Sequence, residues 1–275
     1  MATRPSRNEI PPAAIGGWQL ACANGSELVI SKYLRAGART LAGPVLAMNH
    51  RRIEKHFRST LTNASLARQW VNTYLGGLNL KAGTRILDFG CGRGRVAALL
   101  RQQGFRIAAL DIQAYTWWQN LPGVEFSVAP PDSRVAPFGD AEFDVVLNID
   151  STHYYSVEQL QNHAAEVHRL LRPGGHWIVL QVNPEAYGAS LIGLRPPGRM
   201  HSLDDVRLIC TETGFKETDY WYEGLTSPCF PLFYARLRHL VVPYPLYMYD
   251  HNSWIERLVP ARRRHRWVTR MQKAR

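Results

Sequence analysis

The sequence predicts an α/β fold in which a mostly parallel sheet lies between two layers of helices. Three observations support this. Short apolar runs that end in turn residues alternate with segments whose apolar residues recur at helical spacing. A glycine-rich turn follows one of these runs, and an acidic residue ends the next run 23 positions after the first acid of that turn. Parallel strands joined by helices produce this alternation, so we expect a three-layer α/β/α sandwich.

The first predicted strand contains Ile86-Leu87 and leads into the turn D-F-G-C-G-R-G at residues 88–94. A helix is expected from Arg95 to Gln103, because Gly104 stops it. Glycines have no side chain, so a ligand can contact the turn backbone, and the helix N-terminus offers free N–H groups with a partial positive charge. We interpret Cys91, between two of the glycines, as a small packing side chain rather than a nucleophile.

The second predicted strand covers residues 107–110 and ends in Asp111. A carboxylate at this place is positioned to accept hydrogen bonds from a ribose diol, which indicates the nucleoside-binding half of a Rossmann-like sheet. Dinucleotide-binding folds usually carry G-x-G-x-x-G, in which the third glycine lets the helix pack closely on the strand. Here Arg95 stands where that glycine would be, which argues against an NAD-linked dehydrogenase.

Further segments complete the predicted sheet region. Ser156 is expected to cap a helix, with Gln159 as its capping-box partner. The other predicted features are a polar-to-apolar segment over 132–138, strand four over 143–147, an L-R-P-G-G turn at 171–175 and strand five over 177–180.

Four segments within residues 66–182 resemble, in the same order, the motifs of class I S-adenosylmethionine (SAM)-dependent methyltransferases. They are the turn at 88–94, residues 132–138, strand four over 143–147 and the L-R-P-G-G turn at 171–175. The turn is similar to that family's D-x-G-x-G-x-G motif, and residues 132–147 are similar to its D-A-x-x-L-P-F … F-D-x-V stretch. The sequence is broadly similar to the ubiquinone/menaquinone-type and natural-product small-molecule enzymes of that family. It implies a Rossmann-like seven-stranded sheet with a reversed last strand, an N-terminal helical lid and SAM as cofactor.

The resemblance also implies roles for individual residues. Asp111 would hold the ribose, with Ile112 beside it, and Asp88 would orient the loop or meet the SAM amine. Asp132 and Ser133 would contact the adenine. The remaining predicted cofactor residues pass the methionine part of SAM: Gly90, Cys91, Gly92 and Asn148.

The segment after strand four is expected to face the methyl acceptor. His153 is the predicted general base, because the ordinary pKa of histidine lies near neutrality, and Tyr154 is the predicted positioning residue or alternate base. His153 as a merely packed histidine at the pocket edge is an equal alternative. Asp150 is a candidate to hold a substrate hydroxyl or the SAM amine. No motif identifies the acceptor or the atom that is methylated.

Three regions are expected along the chain: an irregular and helical lid over 1–65, a SAM-dependent methyltransferase domain over 66–240 and a basic, aromatic tail over 241–275. The other predicted elements are helices over 27–42 and 46–60, a helix from Ser65 to Tyr74, a loop over 183–200, a helix from Ser202 to Thr213, strand six over 215–222 and strand seven over 230–240.

The charge is concentrated at the two ends of the sequence. Residues 261–275 contain seven Lys or Arg and no acid, within a chain of net charge +11. This stretch is compatible with a solvated terminus, with a peripheral membrane-surface anchor that uses nearby aromatic residues, or with nucleic-acid contact.

The predicted function is therefore methyl transfer to a small lipid-like, saccharide-linked or secondary metabolite. The alternatives are an RNA or other nucleic-acid methyltransferase, prompted by the basic ends, and a non-catalytic SAM-binding scaffold subunit. The four cysteines lack C-x-x-C spacing, so we expect no metal site and a reducing, cytoplasmic location. The oligomeric state is not specified by any motif.

Overall fold

In the computed structural model, six ranges of the 275-residue chain are described: 64–129, 135–152, 155–185, 201–223, 260–264 and 266–275. The lid helices predicted over 27–42 and 46–60 lie outside these ranges, as does most of the loop predicted over 183–200. The three predicted region boundaries stay predictions.

A seven-stranded sheet forms the middle layer, with strand order β3-β2-β1-β4-β5-β7-β6. Its strands are β1 (Arg85–Phe89), β2 (Arg106–Asp111), β3 (Val124–Val128), β4 (Phe143–Ile149), β5 (Leu171–Val182), β6 (Phe215–Glu223) and β7 (Arg266–Lys273). The pairs among β1 to β5 are parallel, and β7 runs antiparallel to both β5 and β6. This confirms the predicted Rossmann-like sheet with one reversed strand.

Four α-helices flank the described sheet: α1 (Ala64–Tyr74), α2 (Arg95–Arg101), α3 (Val157–Leu170) and α4 (Leu203–Glu212). The predicted capping box of α3 is present, because Ser156 Oγ accepts from Gln159 N at 3.1 Å and Gln159 Oε1 accepts from Ser156 N at 2.7 Å. Ser202 and Asp205 form a second capping box at α4. Side-chain caps of this kind each stabilise a helix by about 1 kcal/mol.

Two apolar clusters fill the layers on either side of the sheet. On one face Trp70 and Tyr74 of α1 pack with α2 and with β1 residues such as Ile86. On the other face Trp177 of β5 and Trp267 of β7 pack with α3 and α4. All of these side chains are buried, and each large apolar side chain contributes about 2–3 kcal/mol when removed from water.

The position of the reversed strand corrects the sequence prediction. Strand seven was expected over 230–240, which lies outside the described residues, but the seventh strand is Arg266–Lys273, inside the stretch interpreted as a basic tail. Side chains are buried on both faces of this central strand: Trp267 and Met271 on one face and Val268 on the other. The guanidinium of Arg270, on the other face, lies 4.9 Å from the Trp221 ring centroid and 3.3 Å from Asp219.

Within the described ranges, no helix combines the length and the apolar composition needed to cross a bilayer.

Candidate cofactor and acceptor site

The glycine turn sits between the ends of β1 and β2. The backbone N–H groups of Gly90 and Cys91 both donate to the Leu110 carbonyl, at 2.7 and 3.0 Å. Gly90 adopts φ 84°, and a Cβ placed on it would lie 2.4 Å from Ser151 Cβ. The turn therefore needs glycine here for its backbone conformation and for the close approach of the segment after β4.

Asp111 at the end of β2 holds the outer part of the turn. Its Oδ2 accepts from Gly92 N at 2.7 Å, and its Oδ1 accepts from Ile112 N at 2.8 Å. Burial raises the pKa of Asp111, whereas these backbone N–H groups act in the opposite direction. A carboxylate has about four lone-pair sites, so both oxygens can accept further hydrogen bonds. Ile112, whose side chain is exposed, lies directly after this carboxylate.

Asp88 lies beneath the turn rather than on its surface. Its side chain is 1% exposed, and its Oδ2 accepts from Ala97 N in α2 at 3.1 Å. Burial is the main reason that the pKa of Asp88 rises to about 7, and the Ala97 hydrogen bond opposes this rise. The geometry matches the loop-orienting role among the two predicted for Asp88, because the carboxylate joins the turn to α2.

Trp118 was not identified from the sequence, and it contacts the glycine turn through a side-chain hydrogen bond. Its Nε1 donates to the Gly92 carbonyl at 2.8 Å, and its ring stacks on Phe126 with centroids 4.5 Å apart. Phe126 also closes the space beside Gly94, where a Cβ would lie 3.0 Å from the Phe126 ring. Trp118 lies in a short 3-10 helix, Thr116–Asn120, whose sequence carries no periodic signal.

Asn148 of β4 is fully buried and engages all four of its hydrogen-bonding positions with protein groups. Its Nδ2 donates to the Phe89 carbonyl at 2.9 Å and to Ser151 Oγ at 3.0 Å. Its Oδ1 accepts from Trp177 Nε1 at 2.8 Å and lies 2.9 Å from His163 Nε2. These contacts hold the turn from beneath, and the predicted contact of Asn148 with the methionine part of SAM stays a prediction.

His163 of α3 belongs to this network and was also not identified from the sequence. Since Asn148 Oδ1 can only accept, His163 Nε2 carries the hydrogen. Burial lowers the pKa of His163 to about 3, so the ring is neutral at physiological pH. The ring also meets Phe89 edge-on, with centroids 4.4 Å apart. The sequence predicted a helix that includes residue 163, but the role of His163 depends on its contact with Asn148, which only the structure shows.

Charged side chains gather at the neighbouring edge, where β4 and β6 end and β7 begins. Asp150 Oδ2 lies 3.4 Å from Arg266 Nη2. Glu223 is buried, and its oxygens accept from the Tyr74 hydroxyl at 2.8 Å and from Trp221 Nε1 at 2.9 Å. Burial raises the pKa of Glu223, while the charge of Arg266 acts to lower it. The carboxyl ends of parallel strands are the usual ligand edge of such sheets.

Four predicted site residues lie outside the described ranges: His153, Tyr154, Asp132 and Ser133. Their roles as base, positioning residue and adenine contacts stay predictions. Cys91 lies within the described part of the chain, and burial raises the pKa of its thiol well above the ordinary value. Only the thiolate is a strong nucleophile, so this shift agrees with a packing role for Cys91.

Residues 87–179 match a protein-family model described as "Methyltransferase domain". Together with the sheet order, this match confirms the resemblance of that segment to class I methyltransferases.

Two curated relatives match a similar length. The chain is 34% identical over 110 residues to a phthiotriol/phenolphthiotriol dimycocerosates methyltransferase of Mycobacterium leprae, which covers 38% of this chain and 39% of that protein. It is 33% identical over 109 residues to a fatty-acid O-methyltransferase of Mycolicibacterium smegmatis, which covers 37% of this chain and 38% of that protein. The matched part is thus about two fifths of each relative.

A solved structure shares the fold over a longer range. A SAM-dependent methyltransferase from Archaeoglobus fulgidus superimposes with a TM-score of 0.53 at 16% identity, covering 80% of this chain and 98% of that one.

Proposed function

We propose that this chain is a SAM-dependent methyltransferase that transfers a methyl group to a small-molecule acceptor. One observation carries the proposal: Asp111 and the glycine turn are locked together by the 2.7 Å bond from Gly92 N to Asp111 Oδ2, inside a segment that matches a methyltransferase domain. A turn held in this way presents a carboxylate and backbone N–H groups at one edge of the sheet, which are the groups that bind a nucleoside.

The described residues fit the cofactor. A Cβ placed on Gly92 would have no atom of the described residues within 4 Å, its two chain neighbours left out, so these residues leave the outer face of the turn open beside the Asp111 carboxylate. In the proposed complex Asp111 accepts hydrogen bonds from the ribose hydroxyls, and Ile112 offers an apolar surface next to them. Asp88 and Trp118 act indirectly, since they bind the backbone of α2 and of the turn.

When bound, SAM supplies an activated methyl group on a sulfonium. The protein then has to hold the acceptor in line with that methyl, and orientation is the main source of rate in such a step. His153 and Tyr154 stay the predicted base and positioning residues. His163 does not compete for the role of base, because its ring is neutral, buried and bonded to Asn148.

The activities of two relatives support a small, lipid-like acceptor. One relative is named for phthiotriol dimycocerosates and the other for a fatty acid. The nucleic-acid alternative was prompted by the two basic ends of the chain. Much of the C-terminal basic stretch over 261–275 is a strand of the sheet, in which Arg266 and Arg270 pair with acids. A cytoplasmic location and a peripheral membrane contact stay proposals.

Isothermal titration calorimetry of the full chain with SAM, with S-adenosylhomocysteine and with NAD tests the cofactor. We expect saturable binding of the first two and none of NAD. Transfer of labelled methyl from SAM to the small-molecule and lipid pools of a host extract tests the activity, with the RNA pool assayed in parallel. Binding of NAD alone, or label that enters only RNA, would overturn the proposal.

A further inference from the structure

Both backbone polar groups of Gly92 bind side chains. The N–H donates to Asp111 Oδ2 at 2.7 Å, and the carbonyl accepts from Trp118 Nε1 at 2.8 Å. The Cys91 thiol lies 3.6 Å from the same carbonyl and is a weaker donor. Glycine has the widest backbone freedom of any residue, and Gly92 adopts a φ of 51°. The two strong hydrogen bonds lie on either side of its Cα and therefore fix both of its backbone torsions.

The indole of Trp118 is held by groups outside the turn. Its ring stacks on Phe126 of β3 with an angle of 10° between the ring planes, and the Tyr115 ring lies 5.8 Å away between centroids. The backbone N–H of Trp118 donates to the Tyr115 carbonyl at 3.1 Å, and its carbonyl accepts from Leu121 N at 3.0 Å. The position of the indole N–H is thus set by β3 and by the short 3-10 helix, so Gly92 meets a donor that is already fixed.

The orientation of the Asp111 carboxylate depends in turn on Gly92. The last torsion of an aspartate side chain is broad, so hydrogen bonds decide where each oxygen points. Oδ1 accepts from Ile112, the next residue in the chain, whereas Oδ2 accepts from Gly92, which lies 19 positions away in the glycine turn. The bond from Gly92 therefore sets the orientation of the carboxylate relative to the turn.

We propose that Trp118 is a positioning residue for the cofactor. By holding the Gly92 carbonyl it fixes the Gly92 N–H, and through that N–H it keeps the Asp111 carboxylate in the orientation that accepts the ribose hydroxyls. This inference rests on the proposed SAM-dependent function. Because Trp118 acts through Asp111, loss of its N–H should weaken recognition of the ribose hydroxyls in particular, and not the binding of every part of the cofactor equally.

The variant Trp118→Phe tests this role, because phenylalanine can still stack on Phe126 but has no N–H to donate. Calorimetry of the full chain gives the Kd for S-adenosylhomocysteine and for its 2′-deoxy and 3′-deoxy analogues. The ratio of an analogue's Kd to that of the parent compound, the ribose ratio, measures how much one hydroxyl contributes to binding.

For the wild-type protein we expect a ribose ratio of at least about 10 with one of the two analogues, as for one charge-assisted hydrogen bond. For Trp118→Phe we expect that ratio to be smaller by about threefold or more, with the largest loss of affinity for the parent compound. A purely structural role would weaken the binding of all three compounds by the same factor. A wild-type ribose ratio in Trp118→Phe therefore overturns the inference.

Trp221→Phe is the matched control. It also removes one indole N–H donor, which binds Glu223 Oε2 at 2.9 Å, but Trp221 lies in β6, at the opposite edge of the described sheet from β3. We expect the control to keep the wild-type ribose ratio. An equal fall of the ratio in both variants would show that it follows general destabilisation, and this result also overturns the inference.

A double variant tests whether Trp118 acts through Asp111. Residues that act through one another have non-additive effects. Trp118→Phe should therefore weaken binding of S-adenosylhomocysteine by a smaller factor in the Asp111→Ala background than in the wild-type background, because the carboxylate that it orients is absent. An equal factor in the two backgrounds contradicts the proposed route through Asp111.

The two proposals fail in different ways. If the wild-type protein binds neither SAM nor S-adenosylhomocysteine, the proposed methyltransferase function is removed. If it binds both and Trp118→Phe keeps the wild-type ribose ratio, only the role of Trp118 is removed. If Trp118→Phe does not fold, Phe126→Leu decides, because it keeps the indole N–H and removes the ring that holds it. The ribose ratio should fall in that variant too, and an unchanged ratio overturns the inference.

Discussion

The side chains of Asn148 and His163 meet across 2.9 Å, from Asn148 Oδ1 to His163 Nε2, in a fully buried contact between β4 and α3. Through its amide group Asn148 also binds the carbonyl of Phe89, which is the last residue of β1 and lies within the 88–94 turn. The turn therefore depends on a polar contact that lies below the ligand edge. A buried hydrogen-bond network in which one partner is missing is costly. Protonation of a buried group near the turn should therefore change the free energy of unfolding.

His163→Gln should remove one component of the acid sensitivity of the fold. The pKa of His163 is about 3 when folded, below its ordinary value of 6.5, so the unfolded chain binds the extra proton. Stability from this group is complete above pH 6.5 and is lost as the pH falls toward 3, by up to about 1.4 kcal/mol per pH unit. Urea unfolding of both proteins between pH 4 and pH 7 measures the difference in slope, and parallel curves would contradict the assignment.

Asp88→Asn should change the pH dependence of the free energy of unfolding in the direction opposite to His163→Gln. The pKa of Asp88 is about 7 when folded, above its ordinary value of 3.8, so the folded chain binds the extra proton. Stability from this group is complete below pH 3.8 and is lost as the pH rises through 7. Relative to wild type, the variant should gain stability between pH 4 and pH 7, by up to about 1.4 kcal/mol per pH unit. The same urea series measures this difference in stability. If the variant shows the same pH dependence as wild type, Asp88 does not cause it.

Gly90→Ala should lose stability and cofactor binding together, because its new Cβ would lie 2.4 Å from Ser151 Cβ. Gly83→Ala is the matched control, since its φ of 83° is nearly the same but a Cβ there would meet no atom of the described residues within 4 Å. We expect the control to lose about 1 kcal/mol from backbone strain and Gly90→Ala to lose 1–3 kcal/mol more. Adding Ser151→Gly should recover part of that excess, as measured by chemical denaturation. No recovery would place the clash elsewhere.

Asp111→Ala should weaken SAM binding by about 1–3 kcal/mol, because it removes charge-assisted hydrogen bonds to the ribose and frees Gly92 N. Calorimetry with SAM measures the loss. A comparison with 2′-deoxy and 3′-deoxy SAM analogues separates the two effects, because only loss of the ribose contact makes the variant indifferent to the missing hydroxyl. Unchanged SAM affinity would refute the ribose role.

The sequence predicted the elements whose signals are local. The turn at 88–94, the acid at the end of β2 and the cap of α3 by Ser156 each depend on residues close together in the chain, and the structure contains all three. The position of β7 could not be predicted in this way. Its sequence combines buried apolar residues with arginines, and Arg266 and Arg270 pair with Asp150, which follows β4, and with Asp219 of β6, both far away in the chain.

The roles of individual buried residues were equally hidden. The resemblance assigned Asn148 to the methionine part of SAM, but its protein partners His163 and Trp177 lie 15 and 29 positions away in the chain. Trp118 braces the turn from 26 positions away. Such contacts arise only when the sheet has formed, so no spacing rule within one segment detects them.

The place of β7 in the sheet also constrains the order of assembly. In the described sheet β6 pairs only with β7, and β7 separates it from β5. Strands β1 to β5 can pair with one another before β6 is made, whereas β6 takes its place in this sheet only after about forty further residues, up to β7, have been synthesised. Until then the described sheet lacks the strand that covers the edge of β5, and an unpaired edge is a template for aggregation.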